Sequence, residues 1–339
     1  MIPVSGRATI YDVADRAGVS IKTVSRVITA HGPVAPDTRR RVLEAVEALS
    51  YVPSAAARNL RAGVGDAVGV IIDSIADPFF ATLTAAIEEH LLPRGLSVLI
   101  GSTGRDPERV RGQVERLAQQ RVRGIILAPV SGDPSALESA VANHPVVCVD
   151  RRADVDGLDT VRVADRAASK RAVDHLIAHG HRRIAFLGDT SEVSTIGLRR
   201  QGYREALRGA GIAVDAVLVR NGCGETDTAA AVTEALLADR RTGPTAIFAS
   251  NPRAAVGVVG ALHSIGRTDI AMVSFGDFPL AAAVAPSITV IDQDPYHVGR
   301  AAADRLLARL GGDVSPAVDI RLPTPLIVRG SGELAPAKR

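Results

Sequence analysis

Between residues 20 and 26 the chain reads Ser20-Ile21-Lys22-Thr23-Val24-Ser25-Arg26, which brings hydroxyls, an ammonium, a guanidinium and a branched aliphatic side chain into under two helical turns. Hydroxyls and cations bind phosphate oxygens, lysine donates to the guanine acceptors, and an aliphatic group packs on a thymine methyl. The chemistry on offer is therefore recognition of a duplex. A second cluster, His175, His179 and His181, has a metal-ligating residue type. Its first two members fall on a helical pattern and the third follows Gly180, where such a helix ends, so a structural role is expected. Phosphate-loop, nucleophile-elbow and His-Glu-x-x-His motifs are absent. Gly63-Val64-Gly65 and Gly222-Cys223-Gly224 do not lead a strand into a helix, and they read as linker or turn. Catalytic residues, cofactors and metals are not expected, and the chain is read as a non-enzyme.

The elements that must hold residues 20–26 can be traced outward. Ile10, Val13, Ala14 and Ala17 recur at helical spacing, with Thr9 as N-cap and Gly18 as stop. Ser20 then opens a second helix whose apolar side is Val24, Val27 and Ile28. Two short helices about a glycine form a helix-turn-helix, in which the N-terminal residues of the second helix reach base edges in the major groove. Ile21 and Lys22 are the expected readers, while Thr9, Ser20, Thr23, Ser25 and Arg26 hold phosphates or support the helix. Gly32-Pro33 makes a turn, and Pro36 opens a third helix to about Leu49 with Val42, Leu43, Val46 and Leu49 inward.

Charge favours the same reading. Met1 to Arg61 carries nine basic and five acidic residues, leaving 31 basic and 32 acidic in the rest, so the net +3 of the chain arises in its first fifth. A nucleic-acid footprint has that distribution. Cys148 and Cys223 lack the spacing of a disulfide framework or a zinc site. Apolar runs are too short to cross a bilayer, and MIPVSGRATI has no export-signal core. A reducing cytoplasm is the expected home.

From Ala8 to Leu60 the residues AT-I-x-DVA-x-x-AGVS-x-x-TVSRV-I and V-x-P-x-TR-x-RV-x-x-A-x-x-x-L-x-Y-x-P-x-x-x-AR-x-L closely resemble the lac-repressor/galactose-repressor family of bacterial transcription factors. Where the family usually has serine before the third helix, this chain has Ala35. The next segment, Pro53 to Gly63, is too short and Ala-rich to hold a helix alone in water. The resemblance implies a hinge helix that folds in the minor groove, with Leu60 wedged between base pairs, Ala57 at the contact of two such helices and Arg58 beside them.

From Val64 on, the runs VGVII, LSVLIG, GIILAP and PVVCVD, and then RIAFLG, TAIFAS and IAMVSF, alternate with amphipathic stretches. That is the rhythm of two α/β lobes with parallel sheets. In open α/β sheets ligands bind beyond the C-terminal strand ends. The loops there are Asp73–Phe80, Ser102–Asp106, Pro129–Asp133, Asp150–Arg152, Asp189–Arg199, Ser250–Arg253 and Phe275–Phe278, with Asp292-Gln293 at a late crossover. The resemblance continues in DPFF, RVRGIILAP, HLIAHGHRRIAFLG and PTAIFASN. It implies lobes like those of periplasmic sugar-binding proteins, three crossings between them, and an effector in the cleft.

By position Phe79 would stack on that effector, Arg199 would be its charged contact, and Asn251 and Gln293 would hydrogen-bond it. Asp73, Ser102, Arg151, Thr195 and Phe275 complete the expected lining. This chain departs from the family pattern at Asn251-Pro252, at Ser274-Phe275-Gly276-Asp277, at Ser74, and at Arg166, a possible second cation. These departures point to an anionic or otherwise atypical small molecule.

The expected organisation is an all-α DNA-binding head at 1–52, a hinge helix and linker at 53–63, and an α/β effector and dimerisation domain at 64–330, followed by a polar tail at 331–339. Its lobes are about 64–164 with 294–318, and 165–291 with 319–330. The function this implies is a ligand-gated repressor whose dimer binds a near-palindromic DNA operator. The competing reading is a small-molecule-binding protein or enzyme without specific DNA binding.

Overall fold

The computed structural model describes residues 8–28, 32–51, 65–130, 134–190, 194–239 and 241–337. It divides into two compact units, the first ending at Gly65 and the second beginning at Asp66.

The first unit holds three helices, α1 (Ile10–Ala17), α2 (Ile21–Ile28) and α3 (Pro36–Ala48). Their apolar stripes converge on Val13, Val24 and Val42, all fully buried, with Ala14, Ala17, Val27 and Ala45 around them. Each buried valine contributes about 1.5–3 kcal/mol. Leu43 departs from expectation, being 49% exposed. The inward stripe of α3 runs 42, 45, 46, 49, and residue 43 lies about 100° around the helix from Val42.

The second unit is built on two six-stranded sheets. The first has the order β11-β5-β4-β3-β1-β2 and the second β12-β10-β9-β8-β6-β7. The strands of the first sheet are β1 (Ala67–Ile72), β2 (Ser97–Ser102), β3 (Ile125–Leu127), β4 (Val146–Val149), β5 (Asp159–Val163) and β11 (Asp319–Leu322), all parallel. The second holds β6 (Ile184–Leu187), β7 (Val219–Arg220), β8 (Ala246–Ala249), β9 (Ala271–Phe275), β10 (Thr289–Ile291) and β12 (Leu326–Ile327), and only β12 runs antiparallel. Central strands such as β4, β6 and β8 are buried at every position, as expected of sheets covered on both faces.

Helices of each lobe pack against one another at close range. Gly202 of helix Ser194–Gly209 lies so near helix Asp165–Ala178 that a Cβ there would stand 2.2 Å from the Arg166 carbonyl oxygen. Gly299 of helix Pro295–Leu310 approaches the Leu83 carbonyl in the same way, at 2.4 Å.

The chain passes between lobes three times, after β5, after β10 and after β11. Two expected boundaries move. Residues 319–322 pair with β5, so the last crossing lies at 323–325 and not before 319. The tail from residue 331 is also not a loose polar end. Ser331 is buried and donates from Oγ to the Met272 carbonyl, the Glu333 carboxylate accepts from the Thr289 hydroxyl, and His181 bonds the Leu334 carbonyl. A serine and a glutamate look solvent-bound in sequence, but here each finds buried polar partners.

Candidate functional sites

In the head, the α1 boundary is fixed by a reciprocal cap. The Thr9 backbone N–H donates to Asp12 Oδ2 at 2.7 Å, and the Asp12 N–H donates to Thr9 Oγ1 at 3.4 Å. The Thr9 N–H, together with the Thr9 hydroxyl donating to the same Oδ2 at 2.8 Å, lowers the Asp12 carboxyl pKa. Gly18, at φ +62°, takes the left-handed C-cap that ends α1. Ser20 Oγ accepts from the Thr23 N–H at 3.2 Å and lies 2.9 Å from Thr23 Oγ1, so the hydroxyls of residues 20 and 23 fasten the start of α2.

Val24 and Val27 turn inward while Lys22 and Arg26 stand exposed. Ile21, Thr23 and Ser25 are half-buried, and Ile21 packs on the head core. Thr9, Ser20 and Thr23 thus already have local partners and act as supports, which leaves Lys22 and Arg26 as the freely projecting cations of the segment. Ala57, Arg58 and Leu60 lie outside the described residues.

In the second unit, the loops after the strands meet between the lobes. Arg151 is buried and binds the Asp73 carboxylate, Asp150 Oδ2 at 2.7 Å and the Pro129 carbonyl. Burial raises the Asp73 pKa despite this partner. Burial also opposes the Arg151 charge, but Asp73 and Asp150 outweigh it and the guanidinium pKa rises. Asp150 adopts a left-handed φ of +68°, a strained conformation for a non-glycine residue, at the point where the chain enters the cleft.

Across the cleft Arg199 is equally committed. Its Nε donates to Asp165 Oδ1 at 2.7 Å, its Nη1 donates to the Ser250 carbonyl at 2.7 Å, and its Cζ sits 3.9 Å above the Phe275 ring centroid. Burial pushes the Asp165 pKa up to about 6 even though Arg199 pulls it down.

Among the described residues two arginines pair directly across the lobes, and the first of them, Arg105, also lies 3.8 Å from Glu225. Arg105, after β2, reaches Asp189 Oδ2, after β6, at 2.5 Å. Arg253, after β8, lies 3.4 Å from Asp77 Oδ2, after β1, and 2.8 Å from Glu225. Burial raises the Asp77 pKa, with Arg253 opposing.

The cavity enclosed by these groups is about 50 Å³ and is lined by Asp73, Phe79, Arg151, Thr195, Arg199, Asn251 and Gln293 among others. Seven of the nine expected effector residues therefore meet at one place. The other two do not line it. Ser102 accepts the Ile75 N–H at 3.2 Å and steadies the loop after β1, while Phe275 is fully buried beneath Arg199. Asn251 Oδ1 is taken up capping its own helix, where it accepts from the Ala254 N–H at 2.7 Å, so only its amide NH2 remains for a ligand.

Arg166 is not a second cleft cation, because it pairs on the surface with Glu205. Each of the four cleft arginines, 105, 151, 199 and 253, already has a carboxylate partner, so the lining is mixed in sign and not cationic. This removes the support Arg166 gave to an anionic ligand. Arg105, Asp150, Asp189 and Arg253 also line the cavity without having been named individually as contacts. Their signal was only their place in strand-end loops, which a sequence shares with many solvated charges. The three histidines find separate partners in Glu333, the His175 carbonyl and the Thr245 hydroxyl.

Against known proteins, a family model described as "Bacterial regulatory proteins, lacI family" matches residues 9–54. A second, "Periplasmic binding proteins and sugar binding domain of LacI family", matches residues 65–327. The transcriptional repressor PurR of Haemophilus influenzae (strain PittEE) is 32% identical over 308 residues, covering 89% of this chain and 91% of its own. The ribose operon repressor of Halalkalibacterium halodurans is 31% identical over 95% of this chain and 96% of its own. Among solved structures, a lac repressor dimer bound to operator and the anti-inducer ONPF superposes with a TM-score of 0.84 at 28% identity, covering 97% of this chain and 100% of that one. A complex of the regulator CelR with cellobiose gives 0.71 at 31% identity, covering 96% and 100%. Among the described residues no helix is long and apolar enough to cross a membrane. A capped helix-turn-helix joined to two α/β lobes around a charged cleft, matched by both family models over nearly the whole chain, makes this protein a member of the lacI family of bacterial transcriptional repressors, which are not enzymes.

Proposed function

We propose that this chain is a repressor that binds a two-fold operator as a homodimer in the bacterial cytoplasm and is switched by a small polar molecule held between its lobes. The observation that carries the switch is the pair of cross-lobe contacts, Arg105–Asp189 and Arg253–Asp77. A ligand that competes for either partner must alter how the lobes close, and closure is the movement that can reach the segment leading to the head. By linkage, an effector that weakens DNA binding must itself bind the DNA complex more weakly.

The lining supports a ligand carrying several hydrogen-bonding groups. Asp73 and Asp77 accept, Arg151 and the Asn251 amide donate, and none of the four guanidiniums is left without a carboxylate. A molecule with alternating donors and acceptors suits that lining better than a bare anion. In the head, Lys22 and Ile21 are assigned to base edges, Arg26 and Ser25 to phosphates, and Thr9, Ser20 and Thr23 to support. Leu60, between Ala57 and Arg58 on one side and the second unit on the other, is assigned as the minor-groove wedge.

Selection of duplexes by the full chain tests the reading, followed by binding of the selected sequence and of random DNA at two salt concentrations. Specific affinity near 10⁻⁸–10⁻¹¹ M that falls steeply with salt is expected. Leu60→Ala should reduce specific binding at least tenfold and leave random-DNA binding nearly unchanged, because the wedge acts only on a bent site. No sequence preference under any condition would remove the function.

A further inference from the structure

Gly202 seats helix Ser194–Gly209 directly on helix Asp165–Ala178, so the outer residues of the two helices form one continuous surface. Charge on that surface is sorted. Arg199 and Asp165 are buried against each other, and Arg171 is bonded to the Thr324 carbonyl and hydroxyl. Facing outward are Arg166 and Lys170 on one helix and Arg200, Arg204 and Arg208 on the other, set against two carboxylates, Asp174 and Glu205.

Both carboxylates are already engaged. Arg166 Nε donates to Glu205 Oε2 at 3.0 Å, and Lys170 Nζ lies 2.6 Å from Asp174 Oδ2. The Arg166 hydrogen bond, then the charges of Arg166, Arg208 and Lys170, hold the Glu205 carboxyl below its usual pKa. Cations of both helices therefore stand around one carboxylate. Arg200, Arg204 and Arg208 recur at every fourth residue, which sets successive guanidiniums about 6 Å apart along one stripe. Arg200 bonds the Asn221 amide oxygen, which carries no charge. Among the described residues Arg204 and Arg208 are exposed and have no carboxylate in ion-pair contact. Beyond Arg61 the chain carries 31 basic and 32 acidic residues, so this surplus is local and not a property of the lobes.

Two valines flank the stripe. Val214 and Val217, in the turn after helix Ser194–Gly209, are 43% and 58% exposed. Burial raises the Tyr203 pKa, and the charges of Asp215 and Arg204 act on the same hydroxyl, so the turn lies beside the arginines.

Three kinds of occupant ask different things of this face. A second copy across a two-fold axis would set the stripe against itself, where like charges repel. Single-stranded nucleic acid needs exposed rings for its bases, and Tyr203, the one Tyr, Phe or Trp of the two helices, is buried. A protein segment with carboxylates at helical spacing meets the guanidinium forks and also covers the valines. We propose that this face of the second lobe docks an acidic amphipathic segment of a partner protein, its carboxylates on Arg204 and Arg208 and its apolar side chains on Val214 and Val217.

The test uses the full chain and a fluorescein-labelled peptide of Glu-Leu-Ala-Ala repeats, followed by fluorescence anisotropy. Wild-type protein should bind it with a Kd of about 10–100 μM at low salt. Arg204→Glu with Arg208→Glu should weaken binding roughly tenfold or more, and Val214→Ser with Val217→Ser about threefold, with circular dichroism and operator affinity unchanged. Should charge reversal unfold the chain, Arg204→Gln with Arg208→Gln reads the same contacts. No binding to the wild type, or equal binding to the folded arginine variant, overturns the proposal, and an unmoved valine variant overturns its apolar half. An arginine variant that loses random-duplex affinity in the same proportion would give the face to nucleic acid. One that sediments as a smaller species than the wild type would give it to a second copy, and either result sinks the protein partner.

Discussion

Arg199 meets a carboxylate, a carbonyl and an aromatic face at once, and it is 4% exposed. Removing it strands Asp165 in the core. Arg199→Ala should therefore destabilise the second unit by about 3–5 kcal/mol in urea unfolding, and a loss below 1 kcal/mol would contradict the pairing. Asp165 gives a prediction in pH. It is an acid whose folded pKa, about 6, lies above its ordinary value, so its favourable contribution is full at low pH and is lost as pH rises through 6. The stability of Asp165→Asn relative to wild type should thus increase between pH 4 and pH 6, by at most about 1.4 kcal/mol per pH unit. A flat difference would mean that Asp165 stays ionised throughout. At this scale the sequence marked Arg199 and Arg151 as cleft residues but also offered Arg166, which Glu205 draws away. One arginine codon reads like another, and only the fold says which carboxylate is within reach.

The third helix of the head begins without a side-chain cap, since Ala35 makes no cap hydrogen bond and Pro36 follows at once. Ala35→Ser should stabilise the head by about 0.5–2 kcal/mol, read as a higher melting temperature for its helical signal, and Thr9→Ala should lower it by a similar amount through loss of the α1 cap. An unchanged midpoint for both would show that packing alone sets these helix ends. Helices of the head were legible because their apolar spacing agrees with the caps Thr9 and Ser20 of the first two and with Pro36 at the start of the third. The long apolar strands β1 to β4, β6, β8 and β9 were legible for the same reason. β5 and β11 escaped because DTVRV and DIRL each carry two charges, of which Arg162 Nε donates across the strands to Asp319 Oδ1 at 2.8 Å. A charge that looks solvated in isolation is here a rung of the sheet.

The lobes are held by their own ions, and the contacts lie on side chains no more than a quarter exposed. Each such pair contributes about 1 kcal/mol, so Arg105→Ala with Arg253→Ala should shift the balance between open and closed lobes roughly tenfold or more toward open. Small-angle scattering of the full chain should show a larger radius of gyration, and an identical profile would make the latch incidental. The two-lobe plan followed from the repeated strand rhythm and the number of crossings from the family resemblance, whereas the last boundary followed from neither. It depends on β11 choosing β5 as neighbour, a pairing between residues more than 150 apart. The triple crossing also governs how the molecule comes apart. A protease that nicks one of the three connections leaves the lobes tethered by the other two, so neither can diffuse away, and a single clip at 292–294 or 323–325 should yield fragments that separate on a denaturing gel yet travel as one particle in native solution.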